Sequence, residues 1–174
     1  MKTLTDQLTQ YAYYHQDARN IQTHFVGVPM IVMAVVILMS RAQLALGDLT
    51  VSLAMLAAAL TTIFYLRLDL RLGVVLGAVL ALMIAGGQSL AAQSTAVWLG
   101  AGVGMFVVGW VIQFVGHYFE GKKPAFVDDL VGLLIGPLFV TAELGFLLGM
   151  RLELKAEIHD RLKSSGRLSA AAMA

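Results

Sequence analysis

Four histidines are the side chains here best suited to chemistry: His15, His24, His117 and His159. Imidazole is the commonest metal ligand, and a neighbouring carboxylate or amide can fix its tautomer. Such neighbours are present. On a helix, Glu120 shares a face with His117 three positions before it, and Asn20 shares one with His24 four positions after it. His15 and His24 are nine apart and fall on opposite sides of an unbroken helix. They can share an ion only if the chain turns between them, which we expect near Asn20. With no cysteine in the chain, the donors are nitrogen and oxygen, and iron, zinc, copper and manganese all stay open. The repeated histidine boxes of a membrane di-iron enzyme are missing, so a single ion is expected, held by His15, His24, His117 and His159. The competing reading is structural: interfacial imidazoles bonding to water or lipid headgroups.

Other ionisable groups near apolar sequence are candidates for function, because charge in that setting is costly. Glu143 lies six residues after Pro137 within an apolar run and is a candidate catalytic carboxylate. Asp128 and Asp129 are expected to cap the following helix, where anions suit the N-terminal dipole. Lys122 and Lys123 can meet anionic headgroups or a substrate carboxylate.

These residues need elements to position them, and composition says which. The chain is 59% hydrophobic and 13% charged over 174 residues, whereas soluble domains carry about 25% charged residues. An all-α, polytopic membrane helical bundle forming one domain over residues 1–174 is expected. A net charge of +1 gives no pointer to nucleic acid. The first 24 residues are polar and do not read as a cleavable signal peptide.

Residues 3–20 place Leu4, Leu8, Tyr11 and His15 on one stripe, so residues 1–24 are expected as an interfacial amphipathic helix. Four transmembrane helices follow within 25–116: Phe25 to Met39, opened by Pro29 in its first turn and extending at most to Leu46; Leu49 to Leu66; Leu72 to Leu90; and Ala96 to Val115. Residues 117–150 read as a site loop and a helix broken at Gly136-Pro137. Residues 151–174 read as a second amphipathic helix, striped by Leu154, Ile158 and Leu162, and a tail. Lys2, Arg19, Arg67, Arg71, Lys122, Lys123 and the basic C-terminal segment fall on one side if the last apolar region re-enters. By the positive-inside rule both termini are then cytoplasmic, in a bacterial inner membrane. Glycine pairs four apart (Gly73/Gly77, Gly100/Gly104, Gly132/Gly136, Gly145/Gly149) suit close helix packing within the bundle, with a homo-oligomer face as the minor alternative.

Taken together, these residues resemble the 2-hydroxy fatty acid dioxygenase family. Tyr11, Tyr14, His15, Asn20, His24, Val28 and Pro29 are similar to its N-terminal signature. Gln113, His117, Glu120, Pro124, Asp128 and Leu130 resemble its second, and Pro137, Phe139 and Glu143 its third, with His159-Asp160 near the end. Asp129 departs from an expected asparagine, and Gly121-Lys122-Lys123 from a more basic run. The resemblance implies an Fe2+-dependent enzyme using O2 to shorten a long-chain 2-hydroxy fatty acid by one carbon, in breakdown of the phytosphingosine base. Glu120, Asn20 and Glu143 are then expected as catalytic side chains, and Tyr14, Lys122 and Lys123 as substrate contacts beside the membrane lipid. A non-catalytic lipid-binding protein and a zinc-dependent lipid hydrolase are the alternatives.

Overall fold

The computed structural model describes residues 2–125 and 131–168. Asp128 and Asp129, with their expected capping role, lie outside the described residues. The described chain is helical apart from one short hairpin: α1 (Leu4–Tyr13), α2 (Ala18–Ser40), β1 (Gln43–Leu46), β2 (Leu49–Ser52), α3 (Leu53–Leu68), α4 (Leu70–Ala91), α5 (Thr95–Glu120), α6 (Gly132–Leu147) and α7 (Leu152–Ser164). It clusters as two compact units, Met1–Val28 with Ile112–Ala174, and Pro29–Val111.

In the first unit, α1 opens with a reciprocal cap: Thr3 Oγ1 accepts from the Asp6 N–H, and the Asp6 carboxylate accepts from the Thr3 N–H. Its buried stripe includes Leu4, Leu8 and Tyr11, as expected, and packs against α6 and α7. α7 buries Leu154, Ile158 and Leu162. The two terminal helices therefore cover their apolar faces with protein. Arg161 clasps them, donating to Asp6 Oδ1 and Glu157 Oε1 at 2.7 Å each.

Two boundaries differ from the sequence expectation. The N-terminal helix stops at Tyr13 and the chain turns over 14–17, earlier than Asn20. The cause is Asp17, whose Oδ1 accepts the Arg19 N–H at 2.8 Å and caps a new helix. α2 consequently starts at Ala18, and Pro29 sits inside it rather than in its first turn. At the other end, the helix is not broken at Gly136-Pro137, because α6 runs through Pro137. The bend, 116° between α6 and α7, comes after Leu147. Gly149 (φ 74°) and Arg151 (φ 56°) adopt left-handed backbone there, and the Met150 N–H reaches back to the Gly145 carbonyl at 2.8 Å.

In the second unit, β1 and β2 pair antiparallel around Gly47 (φ 64°), replacing both the expected extension of the first crossing and the start of the second at Leu49. Ser52 then caps α3, and Asp69 alone separates α3 from α4, capping α4 through the Leu72 N–H. Those two helices touch backbone to backbone: a Cβ on Gly73 would lie 2.6 Å from the Leu66 nitrogen. Glycine-paired packing is thus real for Gly73/Gly77, whereas Gly100 and Gly104 face open space and Gly149 serves as a helix terminator.

Among the described residues three helices, α2, α4 and α5, are long and apolar enough to cross a membrane, and the bent α6–α7 pair makes a fourth candidate. α3, the expected second crossing, has 16 residues, about 24 Å of helix against a hydrocarbon core of ~30 Å. Leu60, Leu82 and Val107 on these helices are exposed.

Candidate metal centre

Three histidines meet in the first unit. His15 lies in the turn after α1, with its Nδ1 2.8 Å from the Tyr11 carbonyl. Its ring stacks face to face on Tyr11, centroids 4.1 Å apart and planes within 2°. His24 is in the second turn of α2, its Nδ1 2.8 Å from the Asn20 carbonyl. His117 is in the last turn of α5, and its buried Nδ1 has no hydrogen-bond partner. Relative exposures are 2%, 2% and 6%. One nitrogen from each lies within 4.8 Å of the others.

The tautomers decide what this arrangement can hold. A carbonyl has no proton to give, so the Nδ1 atoms of His15 and His24 each carry one. Their Nε2 atoms, 2.9 Å apart, then present lone pairs to each other. That contact is repulsive unless a cation lies between. A proton is disfavoured, since burial, reinforced by His24, pushes the His15 imidazole well below its usual pKa. A metal ion satisfies both nitrogens: two ligands about 2.1 Å from one ion and at right angles to it lie about 3 Å apart. The unpartnered nitrogen of His117 supplies a third donor. The residues present therefore fit a single metal ion.

Glu120 holds this geometry together. Its carboxylate Oε2 accepts from the Gln16 N–H at 2.9 Å, the Asp17 N–H at 2.8 Å and Asn20 Nδ2 at 3.2 Å. One side chain at the end of α5 thus ties down the turn carrying His15 and the start of the helix carrying His24. Asn20 also gives Nδ2 to the Tyr14 carbonyl at 3.2 Å. The close approach depends on Gly116, because a Cβ there would collide with Thr23 Oγ1 and Asn20 Oδ1. Gly116→Ala is expected to wedge α5 from α2, with overpacking costing about 1–3 kcal/mol. Metal content of the purified variant, measured beside its melting temperature, checks this; retention of both at wild-type level overturns it.

Of the other expected site residues, His159 and Glu143 are not in the group of three, and Lys122 lies next to Glu120. His159 is exposed on α7 and is not part of the cluster: it follows Ile158, the residue that turns α7's buried face inward, and so points about 100° away from it. Lys122 Nζ donates to the Tyr13 carbonyl at 2.7 Å, lies 4.3 Å over the Tyr13 ring and is 3.7 Å from Glu120 Oε1. Lys123 is exposed, Tyr14 is partly buried beside His15, and Glu143 is partly buried on α6 and not one of the three grouped side chains. Tyr11, Phe139 and Gln113 were not singled out as site residues from sequence. Phe139 packs against Tyr11 and His15, with centroids 4.9 and 5.6 Å away. Gln113 is buried on the face of α5 that carries His117. Its signal was available: a polar side chain four residues before a ligand in an otherwise apolar helix.

Comparison with known proteins matches residues 1–148 to a family described as "2-hydroxy-palmitic acid dioxygenase Mpo1-like". A curated relative, "2-hydroxy-palmitic acid dioxygenase MPO1" of Saccharomyces cerevisiae, is 32% identical over 166 residues, covering 94% of this chain and 92% of the relative. No solved structure matches.

Proposed function

Because the chain belongs to the Mpo1-like family of 2-hydroxy-palmitic acid dioxygenases, we propose that it is a membrane-embedded, iron(II)-dependent dioxygenase that shortens 2-hydroxy fatty acids by one carbon. The observation that carries this reading is the buried cluster of His15, His24 and His117. Its donor set admits several metals, but zinc has no redox chemistry to offer O2, which favours iron. When bound, iron(II) supplies the capacity to activate O2 and to chelate the hydroxyl and carboxylate of the substrate.

The chain's own residues set the stage for that chemistry. Tyr11 holds His15 by stacking and through its carbonyl, Asn20 holds His24 through its carbonyl, and Glu120 fixes the turn between them. Lys122, 3.7 Å from Glu120 Oε1, places positive charge beside the site, which attracts the carboxylate of an acyl substrate. The acyl chain is accommodated by apolar helix surface. His24 lies near the start of α2 and His117 near the end of α5, and both serve one site. On this reading the chain between them leaves one membrane face and returns to it, with the short α3 paired against α4 on the way. The distribution of Lys and Arg supports reading both termini as cytoplasmic.

The oxidation balances with one O2. Carbon 2 becomes the new carboxyl, carbon 1 leaves as CO2, and the four electrons released reduce O2, so that acid, CO2 and one water together account for every atom. Protein purified in detergent is expected to carry about one iron per chain, and to consume O2 with 2-hydroxypalmitate while releasing the fifteen-carbon acid, ~one carbon shorter. Bound lipid without stoichiometric metal, or zinc-supported turnover without O2, overturns the proposal.

A further inference from the structure

Among the described residues, four buried side-chain polar atoms lack a hydrogen-bond partner: Thr9 Oγ1, Asn20 Oδ1, Gln113 Oε1 and His117 Nδ1. Three of them are accounted for. Thr9 is on α1 beside a polar cleft lined by Asp6, Gln10 and Tyr13, where a hydroxyl can rotate. Asn20 Oδ1 faces the backbone of Gly116, within reach of a weak Cα–H contact. His117 Nδ1 belongs to an imidazole of the three-histidine cluster, where an ion would take up its lone pair. Gln113 Oε1 is left over.

Its position is informative. Gln113, Gly116 and His117 are the buried residues of the last two turns of α5, whereas Val111, Phe114, Val115, Tyr118 and Phe119 are exposed. Spacings of three and four put these residues on one stripe. Gln113 is therefore one turn, about 5–6 Å along the axis, from the ligand His117, on the side away from the polar end of the helix. At 5% exposure of the residue its amide oxygen is shut away from water, in a helix whose neighbouring side chains are apolar. A buried acceptor left unpaired costs free energy, and such a cost persists where a ligand relieves it.

The substrate class defines what can relieve it. A 2-hydroxy fatty acid at neutral pH has an ionised carboxylate, which only accepts, and an apolar chain. Its single hydrogen-bond donor is the 2-hydroxyl. We infer that Gln113 is the specificity-determining residue for the 2-hydroxyl group, accepting its proton in a hydrogen bond through Oε1 and so separating 2-hydroxy acids from unsubstituted fatty acids of the same length. This rests on the substrate class proposed above and adds the residue that reads it. A site built around a buried acceptor rejects the analogue that lacks the donor, because the acceptor is then left unpaired.

The test uses metal-loaded, full-length protein in detergent with O2 excluded, so that affinity is read without turnover. Dissociation constants for 2-hydroxypalmitate and palmitate are measured for the wild type and for Gln113→Met, which keeps the side chain's length and removes the acceptor. The wild type is expected to favour 2-hydroxypalmitate, and Gln113→Met to lose about tenfold of that preference, mainly through weaker binding of the hydroxy acid. Metal content and melting temperature of the variant are expected to stay at or above wild-type values, since an unsatisfied buried amide has been removed. A variant that keeps the full preference overturns the assignment while leaving the proposed function intact. A variant that loses metal overturns it too, by making Gln113 a support of the metal site. A wild type with no preference between the two acids overturns the proposed substrate class itself.

Discussion

Replacing His24 by alanine is expected to strip the protein of its metal and abolish O2 consumption, while the exposed His159→Ala keeps both. The asymmetry follows from position. His24 is 2% exposed, its Nδ1 is committed to the Asn20 carbonyl, and its Nε2 lies 2.9 Å from that of His15. Removing it takes one of three donors from a site that has no spare imidazole among the described residues. Loss of a group that merely orients a ligand typically costs 10–100-fold in metal affinity, and loss of the ligand itself is expected to exceed that. Metal analysis of the two purified variants side by side decides the matter. Stoichiometric iron in His24→Ala, or its absence from His159→Ala, removes the cluster as the binding site.

The second large effect is expected at Glu120. Its side chain is 3% exposed, so its hydrogen bonds are little screened by water. Glu120→Ala leaves the N–H groups of Gln16 and Asp17 and one N–H of Asn20 without their acceptor. A buried donor stranded in this way costs about 1–3 kcal/mol. The cost falls on the turn that carries His15, so stability and metal affinity are expected to drop together, the latter by about 10–100-fold. Glu120→Gln keeps one acceptor oxygen and is expected to retain part of both. This ordering distinguishes a positioning carboxylate from a proton-transferring one. A general base replaced by an amide is expected to lose turnover while metal affinity and stability stay intact. Titration of iron into the three proteins, with melting curves alongside, reads the difference; unchanged metal affinity in Glu120→Ala sinks the positioning role.

Much of the site was legible because its chemistry is local. Histidines with a carboxylate or amide one helical turn away are visible as spacing, and Glu120 and Asn20 stand beside the clustered histidines as that spacing implied. The turns were harder. Asp17 looks like an off-stripe residue of a continuing amphipathic helix, and only its hydrogen bond to the Arg19 N–H identifies it as a cap. Pro137 looks like a breaker, yet a helix can continue through proline where the single lost hydrogen bond is tolerated. The chain bends instead at Gly149 and Arg151, whose left-handed backbone is not announced by an apolar run. The expected topology puts His159 on the same side as the other histidines, but sharing a side is a weaker condition than sharing a helix face.

The pinning of the N-terminal turn by Glu120 joins Gln16 to a partner 104 positions later. In chain order, the first two imidazoles are made long before the third, and the carboxylate that locks them arrives with it. During synthesis, His15 and His24 thus stand as an open, two-donor fragment until α5 has been inserted. If the proposed ion is captured, its capture is accordingly a late event in biogenesis, coupled to completion of the bundle. A nascent chain cut short before residue 117 carries half a cradle and nothing to close it.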